Sequence, residues 1–292
     1  MTTIINRPIL SAVLFSFASS AVGWAQSAWL PAQGEFIATP GAAFSTFDEF
    51  WIGRTRVRNP PNGKSLDQYT GFVTLEYGIL RQLAADVTIG YTATDTDAFG
   101  GASDDGLADT QLGLRYRLVD ETRALPSLAL RLGGIVAGTY DENAPFSAGD
   151  GASGFEASLL LGKTFGDSGF GAYGDIGYRI RESDVPDDLF GSVGLFKQFQ
   201  GVFRESDAFT LSVGYRHVQG LSGPDIGAPG FGTSFGFPQV REINQLLEGS
   251  VGYSDSGGRQ YQFTVAKSVE GRNTGDKMAF VVTISLPFAG TR

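Results

Sequence analysis

His217 is the one histidine in the chain, and the chain has no cysteine, so a metal centre of clustered imidazoles or thiolates is excluded. A serine–histidine hydrolase is the chemistry a lone imidazole leaves open, because a hydroxyl nucleophile needs such a base within hydrogen-bond reach. Ser192 after Gly191 and Ser250 after Gly249 are its candidate nucleophiles. Gly169 to Gly174 (Gly-Phe-Gly-Ala-Tyr-Gly) matches the dinucleotide-binding fingerprint, which requires a strand before it and a helix after it. Thr94 to Asp97 and Ser103 to Gly106 place carboxylates together, but without the twelve-residue spacing and final glutamate of a calcium loop. No metal and no cofactor is expected. What these residues can do depends on the elements that carry them.

Those elements alternate. From Gly106 to Val119, Leu112, Leu114, Tyr116 and Leu118 share one parity, while Asp109, Gln111, Gly113, Arg115 and Arg117 share the other. A strand sends successive side chains to opposite faces, so one face is apolar and the other charged. Twelve such runs follow one another: Glu35–Phe47, Gln68–Ile79, Leu83–Ala93, Leu107–Val119, Ser127–Gly138, Gly154–Phe165, Gly169–Arg181, Asp188–Phe199, Asp207–Val218, Gln245–Tyr253, Arg259–Val269 and Met278–Phe288. Each has the length a tilted strand needs to cross a bilayer, about 9–11 residues. Short connections alternate with long ones, as in an outer-membrane barrel with short periplasmic turns and long outer loops. A soluble sandwich has no reason to gather its long loops at one end.

The fingerprint glycines fall inside one of these runs, and His217 lies on the opposite parity from Ser192 and Ser250. Both chemistries lose their context. Pro40 interrupts the first run, so a bulge is expected there where the barrel closes against Met278–Phe288.

The N-terminus adds a location. Arg7, the apolar stretch Ile9 to Phe17 and small residues at Gly23 and Ala25 form the pattern of a secretory signal peptide cut after Ala25. The expected organisation is a signal peptide over 1–25, a periplasmic N-terminal segment over 26–33, a barrel over 34–288 and a tail over 289–292. The net charge of -9 argues against nucleic acid as a partner. The expected partners are outer-membrane lipid and lipopolysaccharide, with Lys267 on the outer-leaflet side, and a small solute.

The charges on the inner parity are Glu76, Asp86, Asp109, Arg115, Arg117, Arg131, Glu156, Asp175, Arg179, Arg181, Arg216 and Glu248. Both signs are present, so they can pair into a network that lines or constricts a lumen. Phe231, Phe235 and Phe237 crowd the longest outer loop, where exposed aromatic surface invites burial or binding.

The runs Gly106 to Leu118, Leu125 to Gly133, Ser147 to Ser153 and Gly177 to Arg181 resemble the outer-membrane barrel family named for the phenol-degradation meta pathway, over about Gln68 to Phe288. The resemblance implies a barrel that admits aromatic or other hydrophobic compounds, and it brings no catalytic or ligand residues. The expectation is an all-β, transmembrane, antiparallel up-and-down barrel of about 12 strands with periplasmic termini. It would serve as a passive or gated channel and not as an enzyme. The alternative is a non-transporting structural or adhesion barrel, with a lipid-facing hydrolase a distant third.

Overall fold

The computed structural model describes residues 27–58, 65–95, 104–143 and 147–288. The expected signal peptide over 1–25, the expected tail over 289–292 and residues 96–103, between the two acidic clusters, lie outside the described residues. Fifteen strands form: β1 (Phe36–Phe47), β2 (Glu49–Ile52), β3 (Thr55–Arg58), β4 (Leu66–Leu80), β5 (Leu83–Asp95), β6 (Asp104–Leu107), β7 (Thr110–Val119), β8 (Ser127–Val136), β9 (Gly154–Thr164), β10 (Phe170–Arg181), β11 (Asp188–Gln200), β12 (Ala208–Gly220), β13 (Ile243–Ser254), β14 (Gln260–Arg272) and β15 (Met278–Phe288).

All but β2 and β3 belong to one antiparallel sheet, in which sequence neighbours are spatial neighbours. β1 pairs with both β4 and β15, which closes the sheet on itself. β6 and β7 share one position in the wall, since both pair with β5, so the ring has twelve strands. Closure removes the free edges that an open sheet would present to lipid. The twelve expected runs each match one wall position, with ends displaced by three residues or fewer, apart from the break at Ala108–Asp109.

Parity sorts the two faces as the alternation requires. Leu112, Leu114, Tyr116 and Leu118 are exposed on the outer wall, whereas Arg115 and Arg131 are 2% exposed on the inner one. The outer surface is apolar, and in water it would be untenable, so the barrel spans a membrane. At the end that carries the chain termini, Tyr77, Tyr116, Phe165, Phe170 and Phe199 ring the wall with exposed aromatic faces. Lys197 caps this belt, its ammonium 4.2 Å from the centre of the Phe170 ring. Lys163 does the same work on the turn before β8, donating to the carbonyls of Arg123 and Leu125 at 3.0 and 3.2 Å.

The expected bulge at Pro40 is absent. β1 keeps one register against β15 on both sides of it, from Ala38–Leu286 to Gly41–Thr283. Pro40 still pairs with Val73 on the β4 side, so the wall bears a single missing donor without shifting. Register shifts fall instead at Gly78/Leu80, Arg117/Val119 and Gln245/Leu246, near strand ends.

Candidate functional site: the lumen and its two ends

The inner wall carries a continuous ladder of opposite charges. Arg115 on β7 pairs with Glu76 on β4 and, at 3.2 Å, with Asp86 on β5. Asp86 also accepts from Arg131 on β8 at 2.9 Å, and Arg131 in turn pairs with Glu156 on β9. Glu156 meets Arg179 on β10 at 3.1 Å, and Arg179 reaches Asp188 on β11 at 3.4 Å. Arg181 closes the series on Asp188 at 3.4 Å and on Asp150, in the β8–β9 loop, at 3.0 Å. Each charge is bracketed by opposite ones, which is the condition for keeping ions out of water at tolerable cost. β-strand parity puts all of these groups inside, and adjacency of the strands in order brings them together.

The remaining predicted charges do other things. Asp109 sits at the break between β6 and β7 and holds the β8–β9 loop, accepting from the Gly138 N–H at 3.0 Å and from the Tyr140 hydroxyl. That hydroxyl also accepts from the Gly151 N–H at 2.9 Å, so the loop is tied down at both ends through one ring. Asp175 accepts from Ser192 across the β10–β11 pair. Arg216 and Glu248 pair at 3.4 Å, and Arg117 pairs with Asp120 at the rim. Sequence reasoning missed Asp188 and Asp150 because acidic residues beside turns read as solvated loop. The rest of the wall is neutral, with hydroxyl pairs such as Thr39–Ser285 at 2.9 Å and Ser250–Thr264 at 2.8 Å.

Aromatic rings occupy the space that inward glycines leave. A methyl group on Gly41, Gly171, Gly177 or Gly194 would overlap the ring of Phe72, Phe196, Phe190 or Tyr173 respectively. This is the work of the Gly169–Gly174 string. It opens β10, a strand with no helix behind it, and its Gly171 seats the Phe196 ring, while Gly169 and Gly174 lie against the backbone of Gln198 and Ser192.

Both ends of the lumen are obstructed. At the termini end, the residues before β1 enter the barrel, where the sequence reading had placed a segment outside it. The Arg115 guanidinium donates to the Ser27 carbonyl at 3.2 Å, and the Ser127 hydroxyl to the Ala28 carbonyl at 2.9 Å. Ala28 packs with Ala129 and Leu160 on the inner wall. Trp29 lies on Gly162, where a methyl group would fall 2.5 Å from the indole, and meets Phe196 edge-on at 6.2 Å. Its ring N–H donates to Glu121 at 2.8 Å. The chain then turns at Gly34, φ 78°, a backbone conformation that suits glycine, and enters β1.

At the long-loop end the obstruction is a hairpin. β2 and β3 fold inward from the β1–β4 connection, and the Trp51 ring covers Gly271 on the inner rim of β14. Phe47, Leu66 and Phe50 pack beneath it. Backbone bonds stitch the hairpin to the β14–β15 loop: Trp51 N–H to the Thr274 carbonyl at 2.8 Å and Asp276 N–H to the Glu49 carbonyl at 2.8 Å. Asn273, 1% exposed, joins three loops, since its side chain accepts from Gly53 N–H at 2.8 Å and donates to Asp225 at 2.9 Å and to the Arg241 carbonyl at 2.7 Å. Arg272 grips the Asp225 carboxylate with two bonds of 2.7 and 2.8 Å, and this holds Asp225 below the usual aspartate range.

Phe231, Phe235 and Phe237 satisfy one another. The first meets the second at 5.7 Å and the third at 5.1 Å, both edge-to-face, in the β12–β13 loop. Lys267, expected to meet lipid, has its ammonium 2.7 Å from Asp276. His217 points to the outer face, 3.3 Å from Gln219, while Ser192 and Ser250 lie on the inner one. Gly232 to Gly236 has the letters Gly-x-Ser-x-Gly, which sequence reasoning passed over. Ser234 is in an exposed loop turn, its N–H bonded to the Gly230 carbonyl at 2.7 Å, and not in the strand-to-helix elbow that such a nucleophile requires.

The family model described as "Putative MetA-pathway of phenol degradation" matches residues 52–284. No curated protein matches the sequence. Among solved structures, the chain is similar to the COG4313 outer membrane channel from Pseudomonas putida F1, with a TM-score of 0.66 at 12% identity over 89% of this chain and 97% of that one. A looser likeness is to the Ralstonia pickettii toluene transporter TbuX, with a TM-score of 0.41 at 11% identity over 96% of this chain and 98% of that one.

Proposed function

The chain belongs to the family described as "Putative MetA-pathway of phenol degradation", and from that premise we propose that this β-barrel of the bacterial outer membrane is a gated channel for small solutes, including aromatic and other hydrophobic ones. The termini end faces the periplasm, and the Ser27–Gly34 segment is its gate. The observation that carries this reading is the way that segment is held. It crosses the lumen mouth outside the strand ladders, tied to the wall backbone through the Gly34 N–H and the Gly78 carbonyl at 2.7 Å, so it can leave while all twelve wall pairings stay intact. A barrel built for a structural role alone would gain nothing from an obstruction that can be removed.

A barrel of about twelve strands is intermediate between those filled by side chains and those with an aqueous pore, so one short segment suffices to close it. The ladder keeps the charged wall paired and rigid. Solute passage then depends on the gate and on the aromatic and hydroxyl surfaces beside it. Single-channel recording in planar bilayers tests this. A variant lacking residues 27–33 should conduct several-fold more than the intact protein. Equal and negligible conductance in both forms, from correctly folded barrels, would favour the non-transporting alternative.

A further inference from the structure

Trp29 is carried into the lumen on backbone that is outside the sheet and outside any hairpin. Phe72, Tyr173, Phe190 and Phe196 are delivered by strands, and Trp51 by β2. The seat under Trp29 is nevertheless as well formed as theirs. Gly162 provides a flat floor and Phe196 an edge-on wall at 6.2 Å, while Leu160 and Ala129 hold the neighbouring Ala28. One side of this seat is polar. The Glu121 carboxylate is held inward by the Thr164 N–H at 2.6 Å and by the Thr164 hydroxyl, which leaves its other oxygen for the indole N–H at 2.8 Å.

We infer that this seat is a solute-binding site for a flat aromatic ring bearing one hydrogen-bond donor, and that Trp29 occupies it as an internal stand-in for that solute. The inference rests on the channel reading. The seat supplies each contact such a ligand needs: a face, an edge and an acceptor aimed into the ring plane. A phenol or an indole presents the same shape and the same donor as the Trp29 side chain. A ring without a donor would cost the Glu121 carboxylate the hydrogen bond that its second oxygen makes in this seat, which disfavours it. Because Trp29 is tethered, the solute competes against an effective concentration in the millimolar range. Binding of solute and expulsion of the gate segment are therefore one event, and the solute that opens the channel is the one that fits the seat.

Calorimetric titration of p-cresol and p-xylene into the full barrel in lipid nanodiscs tests the inference, because these probes differ in the hydroxyl donor. Trp29→Ala should bind p-cresol at least about tenfold more tightly than the intact protein, as removal of a tethered competitor requires. Adding Gly162→Val, which fills the floor, should abolish that binding, and this variant also subtracts partitioning into lipid. Adding Glu121→Gln instead should weaken p-cresol several-fold and leave p-xylene unchanged. Heat-modifiable migration confirms that each barrel is folded. Indistinguishable p-cresol heats for Trp29→Ala with and without Gly162→Val would overturn the site, as would equal affinity for the two probes. Conductance of the same preparations separates the two readings. A Trp29→Ala barrel that conducts but binds no p-cresol loses the seat and keeps the channel, whereas one that binds and never conducts keeps the seat and loses the channel.

Discussion

The two ends of this lumen are closed by the same device attached in different ways. At each end a tryptophan ring lies on an inward glycine, Trp29 on Gly162 and Trp51 on Gly271. Trp51 arrives on a paired hairpin whose backbone is bonded to Thr274 and Asp276 of the β14–β15 loop, with Arg56 pairing to both Glu49 and Asp276. Trp29 arrives on a segment without strand pairing, held by the Arg115, Ser127 and Glu121 side chains and, at its far end, by the Gly34 N–H on the Gly78 carbonyl. Ring and seat are equivalent, so the difference between a fixed stopper and a movable one lies in the backbone behind the ring. Local opening free energy follows such attachments, and segments with few backbone bonds are the ones that move.

A perturbation of the outer wall should leave that contrast untouched while costing most. Leu114→Arg, in the middle of the lipid-facing band, should lower stability by about 2–4 kcal/mol, whereas Thr110→Arg near the rim should be tolerated better. Denaturant titration in detergent micelles measures both. Equal tolerance at the two depths would contradict the membrane-facing assignment of this wall.

Filling the two glycine seats separates the ends directly. Gly271→Val forces Trp51 against a hairpin that cannot retreat, so it should destabilise the barrel by about 1–3 kcal/mol with little change in conductance. Gly162→Val should do the reverse, because Trp29 can swing out: conductance rises and stability hardly changes. Matching effects from the two substitutions would erase the distinction between fixed and movable closure.

Acid should loosen the long-loop end first, and by the smallest amount. The Arg272 hydrogen bonds depress Asp225, so its contribution is present above the ordinary aspartate value and is lost as pH falls through the lowered one. Asp225 is partly solvent-exposed, so the effect is under about 1 kcal/mol. Protection factors against hydrogen exchange at Gly53 and Ile226, each taken against the intrinsic rate at the same pH, should fall at low pH in the intact protein, and Asp225→Asn should show the lower protection already at neutral pH.

The barrel wall was legible in the sequence because a period of two is imposed by the backbone itself and each strand repeats it. The ladder from Glu76 to Arg181 was legible for the same reason, since parity alone puts those groups inside. Trp29 was not. Residues 27–34 have no period, and the ring's partners at 121, 162 and 196 come near it only through strand order and tilt. The pairing of rings with glycines was equally hidden, because it depends on cross-strand register, which alternation leaves free by steps of two. Asp188 opens the expected run Asp188–Phe199, but its place in the charge ladder went unread because it lies beside a turn; it begins β11 and faces inward. The Pro40 bulge failed because one absent donor costs less than shifting the pairings that follow it on the same seam.

The seam itself sets an order of events. Thr39 and Ser285, bonded to each other at 2.9 Å, are 246 residues apart in sequence. The ring therefore cannot close until nearly the whole polypeptide has crossed the inner membrane and reached the assembly site, and contacts of such long range form late. Trp29 needs Gly162 and Phe196 already in position before it has anywhere to rest. A segment made early in synthesis, Ser27 to Gly34, is thus among the last to find its place, and a nascent barrel is open before it is shut.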